Sequence, residues 1–335
     1  MNKKSITYFL YLMLLISVIS VGCSKRGTET AETGTQEDEA EVQEDSTADP
    51  TPAETKETGE IPVEEPVSEE DASPWTLLSE TSVTTSVFFA GFLNESVGVT
   101  VGYAGAVSYT SDGGKNWSES SNVSACRYGL DFYDESFLVS CGNSGVNILS
   151  GDKGESWTYL GEFPLKSSDA YNKFLSVIDH ENIYIGAPKA LGVTNDGGKT
   201  WQEIEVPEEC TKIAGMFFLT PEIGYLLDTD GTLFKTVDSC ETWTTQTIDL
   251  SGESINQRPM PSAAINFQDE NNGIIVYASK TYKLLCLKTE DGGSTWESVE
   301  MPKTSALTPY LSRDGQFLTL SAVTKKISLY KLEDK

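Results

Sequence analysis

Over its last 262 positions, Pro74 to Lys335, the chain alternates short apolar runs with polar turns rich in Gly, Asp, Asn and Ser. Ser86-Val-Phe-Phe-Ala, Val97-Gly-Val-Thr-Val and Ala106-Val-Ser-Tyr-Thr follow one another within twenty-five residues. Runs this short, rich in Val, Phe and Tyr and broken by turn residues, predict β-strands rather than helices. Near-equivalents recur at Leu130-Asp-Phe with Phe137-Leu-Val, Phe174-Leu-Ser-Val with Ile183-Tyr-Ile, Met216-Phe-Phe with Ile223-Gly-Tyr-Leu-Leu, and Ala264-Ile-Asn-Phe with Gly273-Ile-Ile-Val-Tyr.

The recurrence has a period. The six tryptophans, Trp75, Trp117, Trp157, Trp201, Trp243 and Trp296, are 42, 40, 44, 42 and 53 residues apart. Five of them end the same segment: Thr110-Ser-Asp112-Gly-Gly-Lys-Asn-Trp117, Ser150-Gly-Asp152-Lys-Gly-Glu-Ser-Trp157, Thr194-Asn-Asp196-Gly-Gly-Lys-Thr-Trp201, Thr236-Val-Asp238-Ser-Cys-Glu-Thr-Trp243 and Thr289-Glu-Asp291-Gly-Gly-Ser-Thr-Trp296. The chemistry is that of a tight hairpin, in which Asp accepts backbone N–H bonds, Gly takes positive φ and the Trp packs back over the turn. With the Trp strand, each period holds four short strands, the content of a propeller blade.

The repeated segment resembles the Asp-box, or bacterial neuraminidase repeat, of sialidases, sortilin-type receptors and photosystem II stability/assembly factor-like proteins. The pattern around Phe88 and Gly98-Val-Thr-Val-Gly102 is most similar to the last of these groups. Lys153 and Ser239-Cys240 stand where Gly is common, so those two hairpins are expected to bend differently. After Trp296 come Tyr310-Leu, Phe317-Leu-Thr-Leu and Ile327-Ser-Leu-Tyr-Lys-Leu, three strands without a box, while Trp75-Thr-Leu-Leu stands alone at the start. Joining the two closes a ring and removes its exposed edge. The expected fold is therefore all-β: a six-bladed propeller of four-stranded antiparallel blades, its last blade completed by the N-terminal strand.

In that fold all five boxes lie on one face. Asp112, Asp152, Asp196, Asp238 and Asp291, with Trp117, Trp157, Trp201, Trp243 and Trp296, then read as scaffold, and ligands are expected on the opposite face. A sialidase, by resemblance, grips a substrate carboxylate with three converging arginines. The propeller offers only Arg127, Arg258 and Arg313, and Arg313 falls in Ser312-Arg313-Asp314-Gly315, a one-to-two turn on the box side. The family's Phe/Tyr-Arg-Ile-Pro segment is absent. Another glycoside hydrolase needs only two carboxylates at suitable spacing, and Glu162, Asp169, Glu208, Glu209, Asp228 and Asp230 fall in loops of the ligand face. That is the alternative reading. Asp228-Thr229-Asp230-Gly231 resembles the start of a calcium loop but reads more simply as a hairpin turn, and neither a metal nor a cofactor is implied. A non-catalytic face that binds a protein or glycan needs less, and its candidate residues are Arg127, Tyr128, Asn143, Tyr171, Lys189, Arg258, Tyr282 and Tyr310. The resemblance, taken further, implies help in assembling an envelope complex.

Charge and the N-terminus change the setting. With 24 Lys+Arg against 51 Asp+Glu the net charge is -27, which disfavours a nucleic-acid partner. The sole histidine, His180, rules out a multi-histidine zinc site. Residues 1–23 read as an export signal: Lys3 and Lys4 precede an apolar run from Ile6 to Val21, short for a membrane span. Ser20-Val-Gly-Cys23 resembles a bacterial lipoprotein signal, with Cys23 as the lipid-accepting residue. Residues 24–73 carry 17 acids against three bases and no aromatic residue; such a stretch is expected to be a disordered tether. A monomer held by lipid on the outer face of a bacterial cell membrane is the expected arrangement. Five further cysteines remain; a hairpin turn at Tyr133-Asp134 sets Cys126 against Cys141, which makes at most one disulfide, the alternative being two unbridged neighbours, while Cys210 and Cys240 fall on opposite faces and Cys286 reads as a small buried hydrophobe.

Overall fold

The computed structural model describes residues 73–123, 127–142, 146–162, 165, 173–250, 252–256, 261–322 and 325–333. Asp71–Lys335 forms one compact unit. Its first strand, Trp75–Ser82 (β1), is followed by blade one: Val87–Phe92 (β2), Gly98–Gly102 (β3), Val107–Thr110 (β4) and Ser118–Glu119 (β5). Blade two is Arg127–Asp134 (β6), Phe137–Gly142 (β7), Val146–Ser150 (β8) and Thr158–Glu162 (β9). Blade three is Phe174–Val177 (β10), Asn182–Ala187 (β11), Ala190–Asn195 (β12) and Gln202–Ile204 (β13). Blade four is Ile213–Phe218 (β14), Gly224–Asp228 (β15), Thr232–Thr236 (β16) and Thr244–Thr247 (β17). Blade five is Ala263–Phe267 (β18), Gly273–Ala278 (β19), Leu284–Thr289 (β20) and Glu297–Val299 (β21). Blade six is Thr308–Leu311 (β22), Phe317–Ser321 (β23) and Lys326–Leu332 (β24), completed by β1 in the order β1-β24-β23-β22. The six-bladed ring with its N-terminal closing strand is thus as the repeats predict.

First strands meet in a closed circuit, β2 with β6, β6 with β10, β10 with β14, β14 with β18, β18 with β22 and β22 with β2. Close approach here demands small residues: a Cβ on Gly91 of β2 would lie 2.9 Å from both Phe132 and Tyr310. Between blades the apolar faces interlock, and each tryptophan occupies one interface. Trp117 packs with Phe92 and Phe317, Trp157 with Phe89 and Val99, Trp201 with Phe137 and Ile183, Trp243 with Tyr184 and Phe218, Trp296 with Tyr225 and Phe267, and Trp75 with Ile274 and Leu318. The recurrence of the tryptophans along the chain is the recurrence of the interfaces they fill.

Two expectations are corrected. The β6–β7 hairpin turns at Glu135-Ser136, with Asp134 opposite Phe137, and a bulge at Tyr128 shifts the register further, so that Cys141 faces Gly129. Cys141 carries a free thiol, as do Cys210, Cys240 and Cys286; Cys126 lies outside the described residues. Bulges leave no trace in the hydrophobic pattern, which sets only alternation. The second and fourth boxes also bend as the others do. Cys286 is buried in β20, as expected.

Candidate functional site

The boxes join third to fourth strands, and each ties itself to the one-to-two turn of its own blade: Gly113 N–H donates to Ser96 O, Lys153 to Glu135 O, Gly197 to Glu181 O, Ser239 to Glu222 O and Gly292 to Asn271 O. All ten turns therefore share a face. Within the first box, Thr110 Oγ1 donates to Asp112 Oδ1 at 2.8 Å, the Asn116 N–H donates to the same oxygen at 3.0 Å, and Gly114 N–H donates to Thr110 Oγ1 at 3.0 Å. The backbone bond from Asn116 is the largest influence holding the Asp112 carboxyl down at about 2, and the Thr200 hydroxyl does most to hold Asp196 there. These carboxylates are occupied by their own turns. Lys153, Ser239 and Cys240 adopt φ of 61°, 60° and 72°, and the same bonds form, from Gly154 to Ser150 and from Cys240 to Thr236. Hydrogen bonds to Asp and Ser/Thr thus impose the left-handed turn even without Gly, which corrects the expectation that these two hairpins bend differently.

The centre of the ring is a different environment. Asp131 on β6 accepts a bond from Val177 N–H of blade three at 2.7 Å and from the Tyr310 hydroxyl of blade six at 3.0 Å. Arg313, from the β22–β23 turn, donates through one amino group to Phe218 O and Leu219 O of blade four at 3.1 and 3.0 Å, its guanidinium 5.3 Å from the Phe217 ring. Blades two and six, and blades six and four, are not neighbours in the ring, so both contacts cross the channel. Arg313 crosses it at the box end. Above it lies a cavity of about 60 Å³ lined by all six first strands, with Asp131, Lys173, Tyr310 and Arg313 as its polar groups among Met216, Phe217 and Ile265. Burial drives the Asp131 carboxyl up to about 6, against the lowering effect of the Val177 N–H and of Arg313, and burial raises the Tyr310 phenol well above its usual range. Asp131 is half-buried and lines this cavity.

Of the residues singled out from sequence, Tyr310 lines this cavity. Arg127 and Tyr128 open β6 but are buried, with Tyr128 stacked on Phe88 at 5.1 Å. Lys189 sits apart, in an outer groove with Glu203, Glu205 and Glu208, and its ammonium donates to Cys210 O at 2.6 Å. Tyr282 stands exposed at the tip of the β19–β20 hairpin, with φ 64°. Asn143, Tyr171, Arg258, Asp169 and Cys23 lie outside the described residues, as does the side chain of Glu162. Asp228 and Gly231 form the β15–β16 hairpin: the Asp228 carboxylate accepts bonds from Thr211, Asp230 and Thr232, the work of a turn residue. Sequence reasoning missed Asp131, Lys173 and the inward reach of Arg313. The backbone of Arg313 does lie on the box face, and its long side chain enters the channel from there. A charged residue inside a first strand, as in Leu130-Asp131-Phe132, was the available signal.

Residues 201–335 match the family model described as Photosynthesis system II assembly factor YCF48, which bears out the resemblance over that part of the chain. No curated protein sequence matches. Among solved structures, one described as YCF48 bound to D1 peptide superposes with 15% identity, 78% of this chain and 96% of that one covered, and a TM-score of 0.50. A catalytically inactive virginiamycin B lyase from Staphylococcus aureus with quinupristin gives 14%, 75%, 82% and 0.51. The Niastella koreensis GH74 enzyme gives 16%, 74%, 44% and 0.50. At such identities the likeness is one of fold, and the fold serves a binding factor, a lyase and a glycoside hydrolase alike.

Proposed function

We propose that this chain is a non-catalytic binding protein that recognises a segment of another protein on the face opposite the boxes, and that it works outside the cell membrane, anchored through Cys23. The observation that carries the reading is the channel, which Arg313 crosses at the box end and whose cavity is lined by all six first strands. Among the described residues its lining contains a single carboxylate, Asp131, whereas glycoside hydrolysis uses a pair. Support comes from the family match over residues 201–335 and from the likeness in fold to YCF48, seen bound to a D1 peptide. Assistance in assembling an envelope complex follows as the role of such binding; a glycan is the second ligand class.

A photo-crosslinking amino acid at Tyr282, on the rim, tests this against one at Tyr159, exposed on the outer strand β9. In the native envelope, the Tyr282 position is expected to give a discrete adduct that a protease shortens and glycosidases leave intact, with none from Tyr159. Equal adducts from both positions refute a defined binding face.

A further inference from the structure

The cavity lining carries charges of both signs. Asp131 and Arg313 each feel the other's charge, yet no ion pair joins them. Each oxygen of Asp131 has one neutral side-chain or backbone donor from the ring, Tyr310 or Val177, and keeps acceptor capacity for another. Arg313 commits one amino group to the Phe218 and Leu219 carbonyls, and its other two nitrogens make no hydrogen bond to a described residue. Lys173 adds a second, buried cation to the same lining. Partly desolvated opposite charges that do not pair with each other are satisfied by a group that carries both signs itself.

We propose that the channel floor binds a small α-amino acid as its zwitterion, the carboxylate on Arg313 and the ammonium on Asp131. Size limits the class. At roughly 10–15 Å³ for each water-sized group, the cavity of about 60 Å³ holds four to six of them; glycine and alanine have about that many non-hydrogen atoms. The ligand's carboxylate, which meets the guanidinium, is the stronger determinant and its ammonium the discriminating one. The residues also explain why the site is rigid: Asp131 is fixed by blades three and six, and Arg313 by blade four. This inference goes beyond the proposed protein-binding role and stands or falls separately, because it concerns the floor and not the rim.

Calorimetric titration of the full chain at about pH 8 with glycine, acetate and methylammonium is the test. Glycine is expected to bind at least ~10-fold tighter than acetate, about 1.4 kcal/mol, and methylammonium weakest. Asp131→Asn should bring glycine down to the level of acetate, Arg313→Gln should abolish both, and Tyr159→Ala, on the outer strand β9, should change neither. Because Asn preserves the shape at 131, that variant decides the matter even if Arg313→Gln folds poorly. Glycine binding no tighter than acetate, glycine affinity unchanged in Asp131→Asn, or no heat from any of the three, as for a cavity holding water only, overturns the proposal. Loss of the Tyr282 adduct with glycine binding intact would instead count against the protein-binding reading alone.

Discussion

At the scale of single residues, the boxes show hydrogen bonding outweighing backbone preference. Ser239 is exposed and holds φ 60°, a region that costs an L-residue about 1–2 kcal/mol. Its side chain makes none of the box's bonds, which come from Thr236, Asp238 and Thr242. Ser239→Gly is therefore expected to stabilise the protein by roughly 1 kcal/mol in urea unfolding, with unchanged fold. Asp131 shows the opposite balance, function-like chemistry held at a cost. Its carboxyl is raised from 3.8 to about 6 in the fold, so the folded state disfavours the charged form; the penalty is absent below about pH 4, grows as pH rises towards 6 and is constant above. That rise corresponds to about 3 kcal/mol at most, less what channel water screens. Asn at 131 can accept from Val177 and donate to the Tyr310 oxygen. The stability of Asp131→Asn relative to wild type should accordingly rise between pH 4 and 6 and level off above, measured by unfolding midpoints at each pH.

At the scale of elements, closure rests on β1. It pairs with β24 from Trp75 opposite Leu332 to Ser82 opposite Lys326, and Trp75 is buried against blade five. Truncating a buried Trp costs ~3–5 kcal/mol, on the order of 10 °C in a domain of this size. Deleting residues 74–80 should lower the thermal midpoint by at least that much, while deleting 24–70 should leave it unchanged. Equal shifts from the two deletions would show that the ring does not depend on its N-terminal strand. A second repeat was also present in the sequence and went unread: Asn94, Asp134, Asp179, Thr220 and Asp269 each cap the one-to-two turn of their blade by accepting backbone N–H bonds two or three residues on. Short polar residues in turns are common enough that this series has little contrast against its surroundings.

For the whole molecule, the separation of an acidic N-terminal stretch from the ring frames the anchoring proposal. Anchoring through Cys23, as proposed, asks residues 24–73 to serve as the tether; a random coil of about 50 residues reaches ~40 Å, and farther when like charges repel. Cys23→Ser should move the protein from the membrane fraction to the soluble one without altering its thermal midpoint. Retention in the membrane would exclude lipid on Cys23 as the anchor.

Sequence alone determined the number of blades, the strand order within each and the closure, because a hairpin repeat is a local device: Ser/Thr, Asp and Trp at fixed spacing act within eight residues and reappear five times. It also determined which face carries the boxes, since strand connectivity dictates that. The channel chemistry was decided only by the tertiary structure. Asp131, Val177, Tyr310, Arg313 and Phe218 come from blades two, three, six and four, up to 182 positions apart between Asp131 and Arg313, and no periodicity links them. Bulges at Phe88, Tyr128 and Ala214 shift the register where first strands enter the ring, and the length of the Arg313 side chain carries its charge off the face its backbone occupies. Which side chains meet at the centre depends on ring closure, a property of six blades packed together and of none of them singly.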